Sequence, residues 1–258
     1  MKPGTPIICF VVALKSKAVS KDWDRVCRLF EATLGSLLGQ SNPRWRAFVV
    51  GHERPTFPGM DDERVHFLPV DFPPPVLNYD RMTEDKTRKL SIALRACLAT
   101  NPQYIMSIDA DDLLSSRLVE FAATAAEKNG WIIHRGYNYT YGSRWIVRNN
   151  QFNCGTNAII NVRLVRAPSG ASLEQDAEEC LILRFGHVDM ERGMKDLGKP
   201  LEQLPFRGVV YLSDHGENAT DAGPWGGRGR KRLRWWLNML RTAQPLTRRL
   251  REEFNLHL

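Results

Sequence analysis

The sequence of 258 residues predicts an α/β fold in which a mostly parallel sheet is flanked by helices. Residues 7–14 form a continuous apolar run rich in branched side chains, which is typical of a parallel strand covered on both faces. Residues 22–38 then place apolar side chains at helical spacing behind Asp22, a suitable N-cap. Residues 45–50 are a second apolar run, so the chain opens with a strand, helix, strand unit.

The rest of the chain continues to alternate between strands and helices. The proline-rich stretch 71–80 cannot be helical and is predicted as a loop. A hydrophobic content of 43% is enough for a substantial core. The further predicted elements are strands at 65–69, 104–108, 131–133, 158–160 and 209–212, a hairpin from 137–141 and 143–148, and helices at 85–100, 113–128 and around 186–192.

Three carboxylates, Asp109, Asp111 and Asp112, directly follow the strand predicted at 104–108. Carboxylates at the end of a buried strand cannot stay ionised side by side unless a positive charge neutralises them. Asp109 and Asp111 are two residues apart, so their side chains point the same way on extended backbone. Oxygen ligands of this kind suit Mg²⁺ or Mn²⁺. The alternative is that Asp111 and Asp112 cap the helix predicted at 113–128.

Two other segments carry charges that could meet a ligand. Lys86, Arg88 and Lys89 fall in the first turn of the helix predicted at 85–100, where the helix dipole disfavours cations. This indicates an anion nearby, with a solvated basic face as the alternative. Residues 51–55 follow the second strand, at the edge where open α/β sheets bind ligands, and an ordinary polar loop explains them equally well.

The second half of the chain offers candidate proton acceptors and one candidate ligand. His187, Asp189 and Glu191 could each accept a proton, although most such residues are merely solvated. His215 follows the last predicted strand and is a possible metal ligand, although a lone histidine is more often structural. The small residues at 154–157 would let a ligand approach the backbone closely.

The net charge of +7 is concentrated near the C-terminus. Residues 226–251 contain nine of the 36 basic residues and no acidic one, and Glu252 and Glu253 follow. Residues 1–225 therefore contain 27 basic and 27 acidic residues. The tail is predicted as a basic amphipathic helix that binds an anionic membrane, binds nucleic acid or docks on its own domain. Nucleic acid is the least favoured of these partners.

The five cysteines are scattered without a CxxC pair, which is typical of a reducing compartment. Residues 7–14 are short for a signal segment, and no stretch approaches the length of a membrane span. The predicted location is therefore cytoplasmic. If the basic tail binds an anionic membrane, the protein would lie peripherally at the inner face of the membrane.

The order of these elements resembles glycosyltransferase family 2 and its GT-A fold. SLLGQSNPRWRAFVVGHERP, at 36–55, is similar to the family's helix end, turn and second strand, and 85–115 is similar to its basic helix leading into an Asp-X-Asp strand. The resemblance covers residues 5–120 and continues in CGTNAI, at 154–159, and in the turn at His215.

The resemblance implies a nucleoside-diphosphate sugar donor, linked to UDP or GDP, and a bridging Mn²⁺ or Mg²⁺. Asp111 would be the principal metal ligand and His215 a further one. Asp109 would meet the ribose or the metal, and Lys86 or Arg88 would meet the donor phosphates. The chain departs from the family pattern at two segments, so that Glu53 would hold the base of the nucleotide, and Asp189 would be the catalytic base with His187 and then Glu191 behind it.

The prediction is a metal-dependent hexosyltransferase that transfers a sugar, with inversion, to a carbohydrate or lipid-linked acceptor in bacterial polysaccharide or glycan assembly. Residues 1–225 would form the GT-A domain, with the donor half at about 1–115 and the acceptor half at about 116–225, and 226–258 would form the tail. One alternative is a nucleotidyltransferase, although the loop at 15–20 lacks the glycines typical of that class. Another is a nucleic-acid-binding or membrane-binding module on a degenerate transferase fold.

Overall fold

The computed structural model describes residues 4–125, 128–213, 215–217 and 241–256. These residues form strands and helices that alternate from β1 to β4, with short 3-10 turns at Lys17–Val19, Pro58–Asp61 and Val162–Leu164. The strands are β1 Ile8–Ala13, β2 Trp45–Gly51, β3 Val65–Pro69, β4 Tyr104–Ile108, β5 Asp112–Leu114, β6 Gly130–Ile132, β7 Gly136–Thr140, β8 Trp145–Asn149, β9 Ala158–Asn161, β10 Glu202–Gln203, β11 Val209–Ser213 and β12 Ala243–Pro245. The helices are α1 Trp23–Leu38, α2 Tyr79–Leu98, α3 Leu118–Thr124, α4 Leu173–Glu179, α5 Leu181–Phe185, α6 Met190–Asp196 and α7 Arg248–Phe254.

The described strands build two sheets. The larger has seven strands in the order β10-β6-β9-β4-β1-β2-β3. Its centre, β4, β1, β2 and β3, is parallel, and β9 runs antiparallel to both β4 and β6. The smaller sheet has the order β12-β8-β7-β11-β5. The predicted α/β architecture of a mostly parallel sheet flanked by helices is confirmed.

Strand β1 shows why the first apolar run is continuous. Ile8, Phe10 and Val12 face a core that they share with α1, whereas Cys9 and Val11 face a second core that they share with α2. Because side chains alternate across a strand, a strand covered on both faces must be apolar at every position. The side chain of Asp22 accepts a hydrogen bond from the backbone N–H of Arg25, as predicted for the cap of α1.

Three predicted helices differ from the observed elements. Helix α2 begins at Tyr79, inside the predicted loop, because the side chain of Asn78 accepts from the backbone N–H groups of Asp80 and Arg81. Lys86, Arg88 and Lys89 therefore lie in the interior of the helix, not in its first turn. The first residues of the helix predicted at 113–128 form β5, which pairs with β11. The helix predicted around 186–192 is interrupted at Gly186, whose φ of 53° lies in the left-handed region that ends α5.

Part of the predicted C-terminal tail belongs to the folded domain. Strand β12 pairs with β8, and Leu250, Phe254 and Leu256 are buried against the second sheet. This part of the tail therefore docks on the domain, one of the predicted alternatives, because these apolar side chains find a partner surface there. Residues 226–240, where the basic amphipathic helix was predicted, lie outside the described residues. No helix in the described ranges is long and apolar enough to cross a membrane.

Candidate functional site

The candidate site is a pocket of about 770 Å³ at the carboxyl ends of β1 and β4. These two strands are neighbours at the centre of the parallel sheet, and open α/β sheets bind ligands at this edge. Residues from many parts of the chain line the pocket, among them the loop after β1, helix α2, the segment after β4, the corner at 153–155 and the turn after α5.

Asp109 and Lys86 form an ion pair inside this pocket. Nζ of Lys86 donates to Oδ1 of Asp109 at 2.5 Å. Attraction to Asp109 raises the pKa of Lys86. Burial alone would raise the pKa of Asp109, but Lys86 outweighs it and holds that pKa below its ordinary value. The pair is therefore fully charged at neutral pH, and Lys86 neutralises one of the three carboxylates.

The small residues at 154–157 leave room for the Asp109 side chain and bond its backbone. The backbone N–H of Asp109 donates to Oγ1 of Thr156 at 2.8 Å. A Cβ atom at Gly155 would collide with both carboxylate oxygens of Asp109, so only glycine fits beside this side chain. The corner at 154–157 is thus part of the site, as a packing partner of the carboxylate strand.

Asp111 lies opposite His215. Its Oδ2 is 3.0 Å from Nε2 of His215, and the His215 side chain is only 1% exposed. The two groups are not aligned for a hydrogen bond. Nε2 is therefore a buried polar atom without a hydrogen-bond partner among the described residues. Nδ1 of His215 accepts the backbone N–H of Glu217 at 3.3 Å. In that orientation the neutral ring has its proton on Nε2, facing Asp111.

Asp112 is buried and differs in kind from the other two carboxylates. Burial, with repulsion from Asp111 and Asp109, raises its pKa well above the ordinary value and favours the protonated form. Its Oδ2 accepts from Sγ of Cys154 at 3.2 Å. Asp112 begins β5, so neither Asp111 nor Asp112 caps a helix as the alternative reading proposed.

The donor set fits a divalent cation whose shell is completed from outside the protein. Asp111 and Asp109 offer carboxylate oxygens, and their side chains are 26% and 25% exposed. Within the described ranges, no group of three or more His, Cys, Asp or Glu side chains converges as a ready-made metal site. Mg²⁺ typically binds through one or two carboxylates together with waters and substrate phosphates. Ligation by Nε2 of His215 would require its proton to move to Nδ1, at the expense of the Glu217 contact.

Glu53 and Arg88, two residues predicted to contact the donor, are not among the residues that line the pocket. Both carboxylate oxygens of Glu53 accept hydrogen bonds from the loop after β1, from Oγ of Ser16 at 3.2 Å and from the N–H of Lys17 at 3.0 Å. Arg88 pairs with Glu84 and lies outside the pocket lining, because residues two apart on a helix point in different directions and Lys86 takes the pocket side. The ligand contacts of Glu53 and Arg88 stay predictions.

The three candidate bases occupy different places. His187 lines the pocket, and its carbonyl oxygen accepts from Nδ2 of Asn157 at 2.8 Å. Burial lowers the pKa of His187, so its imidazole is neutral at pH 7 and can accept a proton. Asp189 precedes α6 and is not among the residues that line the pocket. Glu191 is also outside the lining, and its Oε2 lies 2.9 Å from Nε2 of His134.

Several residues of the site were not predicted from the sequence. Asp85 and Tyr211 line the pocket, and burial raises the pKa of Tyr211. Glu217 accepts from Nζ of Lys15 at 2.7 Å and from the N–H of Asp22 at 2.7 Å, which ties the segment after β11 to the start of α1. A charged residue in a polar loop has no local pattern that would have identified Glu217.

Comparisons with known proteins add two distant likenesses in fold. The sequence matches no family model and no curated protein. The apo-form glycosyltransferase GlyE of Streptococcus pneumoniae TIGR4 is similar with a TM-score of 0.42 and 12% identity, over 90% of this chain and 60% of that one. A candidate nucleotide-diphospho-sugar transferase of Desulfovibrio desulfuricans G20 is similar with a TM-score of 0.38 and 9% identity, over 80% of this chain and 81% of that one.

Proposed function

We propose that the protein is a metal-dependent glycosyltransferase that moves a sugar from a UDP- or GDP-linked donor to a hydroxyl of a carbohydrate or lipid-linked acceptor. One observation carries the proposal. Asp111, which lines a pocket of about 770 Å³, has no lysine or arginine within ion-pair distance among the described residues, whereas the neighbouring Asp109 is paired with Lys86.

The charges of the pocket favour a cation together with an anionic substrate. Asp109 and Lys86 cancel, Asp112 favours its protonated form, and the negative charge of Asp111 is left over. A nucleoside diphosphate alone would be repelled by Asp111, whereas the diphosphate with a divalent cation would be attracted. The lining is large enough for a nucleotide with a sugar, since ligand pockets of about 300–1,000 Å³ hold drug-sized molecules.

Mn²⁺ or Mg²⁺ would be held by Asp111, with Asp109 beside it. When bound, the metal would stabilise the negative charge that develops on the leaving diphosphate. His215 is retained as a proposed ligand, because its Nε2 lies 3.0 Å from Oδ2 of Asp111.

His187 is the side chain best placed to act as base. Its neutral imidazole would accept the proton of the acceptor hydroxyl as that oxygen forms a bond to the anomeric carbon and the bond to the donor phosphate breaks. Attack from the face opposite the leaving group inverts the anomeric centre. Asp189, the first choice from the sequence, would need to reach the pocket from the start of α6.

The test is isothermal titration of UDP and GDP into the protein, with and without Mn²⁺. We expect metal-dependent binding of one nucleotide, and its loss in Asp111→Asn. Asp196→Asn is the matched control, because the Asp196 side chain is 71% exposed on α6. This variant should bind the nucleotide as the wild type does. Equal binding by the wild type and Asp111→Asn, or binding that ignores the metal, would contradict the proposal.

A further inference from the structure

A buried ion pair on α2 holds a second carboxylate at the same edge of the sheet. The side chain of Lys89 is fully buried, and its Nζ donates to the carbonyl oxygen of Leu14 at 2.9 Å and to Oδ2 of Asp85 at 2.7 Å. Leu14 directly follows β1. Asp85 lies one helical turn before Lys89 on α2. The two hydrogen bonds of Lys89 therefore hold Asp85 beyond the carboxyl end of β1.

The other oxygen of Asp85 has no partner. Its Oδ1 is buried and accepts no hydrogen bond from the described residues, while the side chain, 11% exposed, lines the pocket. A buried acceptor left without a donor costs about 1–3 kcal/mol. Because Lys89 already neutralises the carboxylate, a neutral N–H or O–H group suits this oxygen better than a second cation.

The surroundings indicate which part of a ligand supplies that group. The apolar side chains of Leu14, Met82 and Leu90 line the same pocket as Asp85. Lys86, the next residue, pairs with Asp109 at the charged part of the pocket. A molecule with a charged end at Asp109 and Asp111, and a flat, largely uncharged end bearing hydrogen-bond donors, would satisfy both regions.

We propose that Oδ1 of Asp85 accepts a hydrogen bond from the nucleoside of the donor, either from a ring N–H of the base or from a ribose hydroxyl. This inference rests on the proposed function. It replaces Glu53 in the role of holding the nucleoside, because Glu53 is not among the residues that line the pocket and both of its oxygens already accept a hydrogen bond from the loop after β1.

The experiment compares nucleotide binding by the wild type, Asp85→Asn and Glu84→Gln in the presence of Mn²⁺, with UDP and GDP as probes. In Asp85→Asn the amide oxygen can still accept from Lys89, but an NH₂ group replaces the acceptor. We expect the nucleotide that the wild type binds to bind about 10- to 100-fold more weakly. Glu84→Gln is the matched control on the same helix, because Glu84 pairs with Arg81 and Arg88 outside the pocket lining.

Nucleotide analogues test the same contact in the wild type, in case Asp85→Asn does not fold. The analogues of the bound nucleotide are one methylated at the ring N–H and one lacking the ribose 2′- and 3′-hydroxyls. We expect one of them to bind the wild type at least tenfold more weakly, which identifies the bonded group, and to lose nothing more in Asp85→Asn. Wild-type affinity for both analogues, or unchanged binding in a folded Asp85→Asn, would overturn the inference and leave the proposed function standing. Absence of UDP and GDP binding in the wild type would overturn both.

Discussion

Two carboxylates in this protein show how differently the same side chain can be used. Asp176, on α4, is buried, and its oxygens accept from Oγ of Ser91 at 2.6 Å, Oγ of Ser169 at 3.1 Å and the N–H of Gly170 at 3.0 Å. Asp111 is partly exposed at the pocket, with only His215 near its carboxylate in the contacts described. A carboxylate whose oxygens are fully bonded stabilises the fold, whereas one without bonds is available to a ligand.

The pKa values of buried carboxylates follow the same division. Burial alone would raise the pKa of Asp176, but the hydrogen bonds from Ser91 and Gly170 lower it overall. For Asp112 the hydrogen bonds are too few, and burial together with its acidic neighbours raises the pKa. The number of donors that reach each carboxylate therefore decides whether burial ends in a charged or a neutral group.

The largest expected effect is on transfer by Asp111→Asn. Loss of the carboxylate should lower the rate of sugar transfer at least about 100-fold, because loss even of an outer partner of a metal ligand costs about 10–100-fold. Thermal unfolding of the variant should match the wild type or occur at higher temperature, since an uncompensated charge is removed. A large fall in unfolding temperature would place Asp111 with the structural carboxylates and end the contrast with Asp176.

Asp176→Ala should have the opposite consequence. Removing a carboxylate that accepts three hydrogen bonds should lower the free energy of unfolding by about 2–3 kcal/mol, as measured by urea denaturation. Metal-dependent nucleotide binding by the folded variant should be unchanged. The control is Asp196→Ala, an exposed carboxylate, which should stay within about 0.5 kcal/mol of the wild type.

A smaller effect is expected from Gly155→Ala. The new methyl group would collide with the Asp109 carboxylate and push it out of position. Since loss of a partner beside a metal ligand costs about 10–100-fold, displacement of Asp109 should lower nucleotide affinity in the presence of Mn²⁺ about tenfold. Gly4→Ala is the control, because its methyl group would meet only the Arg44 side chain, at 3.8 Å. Unchanged affinity in Gly155→Ala would show that the position of Asp109 does not matter to the site.

The smallest effect concerns His187, which lines the pocket, in comparison with His134, which does not. Burial lowers the pKa of His187, so its base form persists to lower pH than that of an ordinary histidine. Transfer by the wild type should therefore fall only as the pH drops through a midpoint below the usual value of about 6.5. His134→Gln, at the surface pair with Glu191, should leave that midpoint in place. If His187→Gln also retains the acidic decline, another group accepts the proton.

Local pattern was enough for much of the fold and for the position of the acidic cluster. Strands β1 to β4 were predicted because nearly every buried position in them is itself an apolar residue. Asp109 and Asp111 directly follow β4. The start of α2 and the interruption at Gly186 were missed, because a single capping Asn78 and a single left-handed glycine alter the backbone without changing the surrounding pattern. The separate tail was predicted from charge, which did not show that Leu250 and Phe254 would pack on the second sheet.

The sequence by itself determined that an α/β sheet presents clustered carboxylates at the end of a buried strand. The tertiary structure decided which side chains meet them. Lys86 reaches Asp109, His215 reaches Asp111, and Asp85 faces the pocket with one oxygen free, whereas Glu53 is bonded to a neighbouring loop. These pairings depend on strand order and on the rotation of α2 against the sheet. Both are set by long-range packing, which local periodicity does not encode.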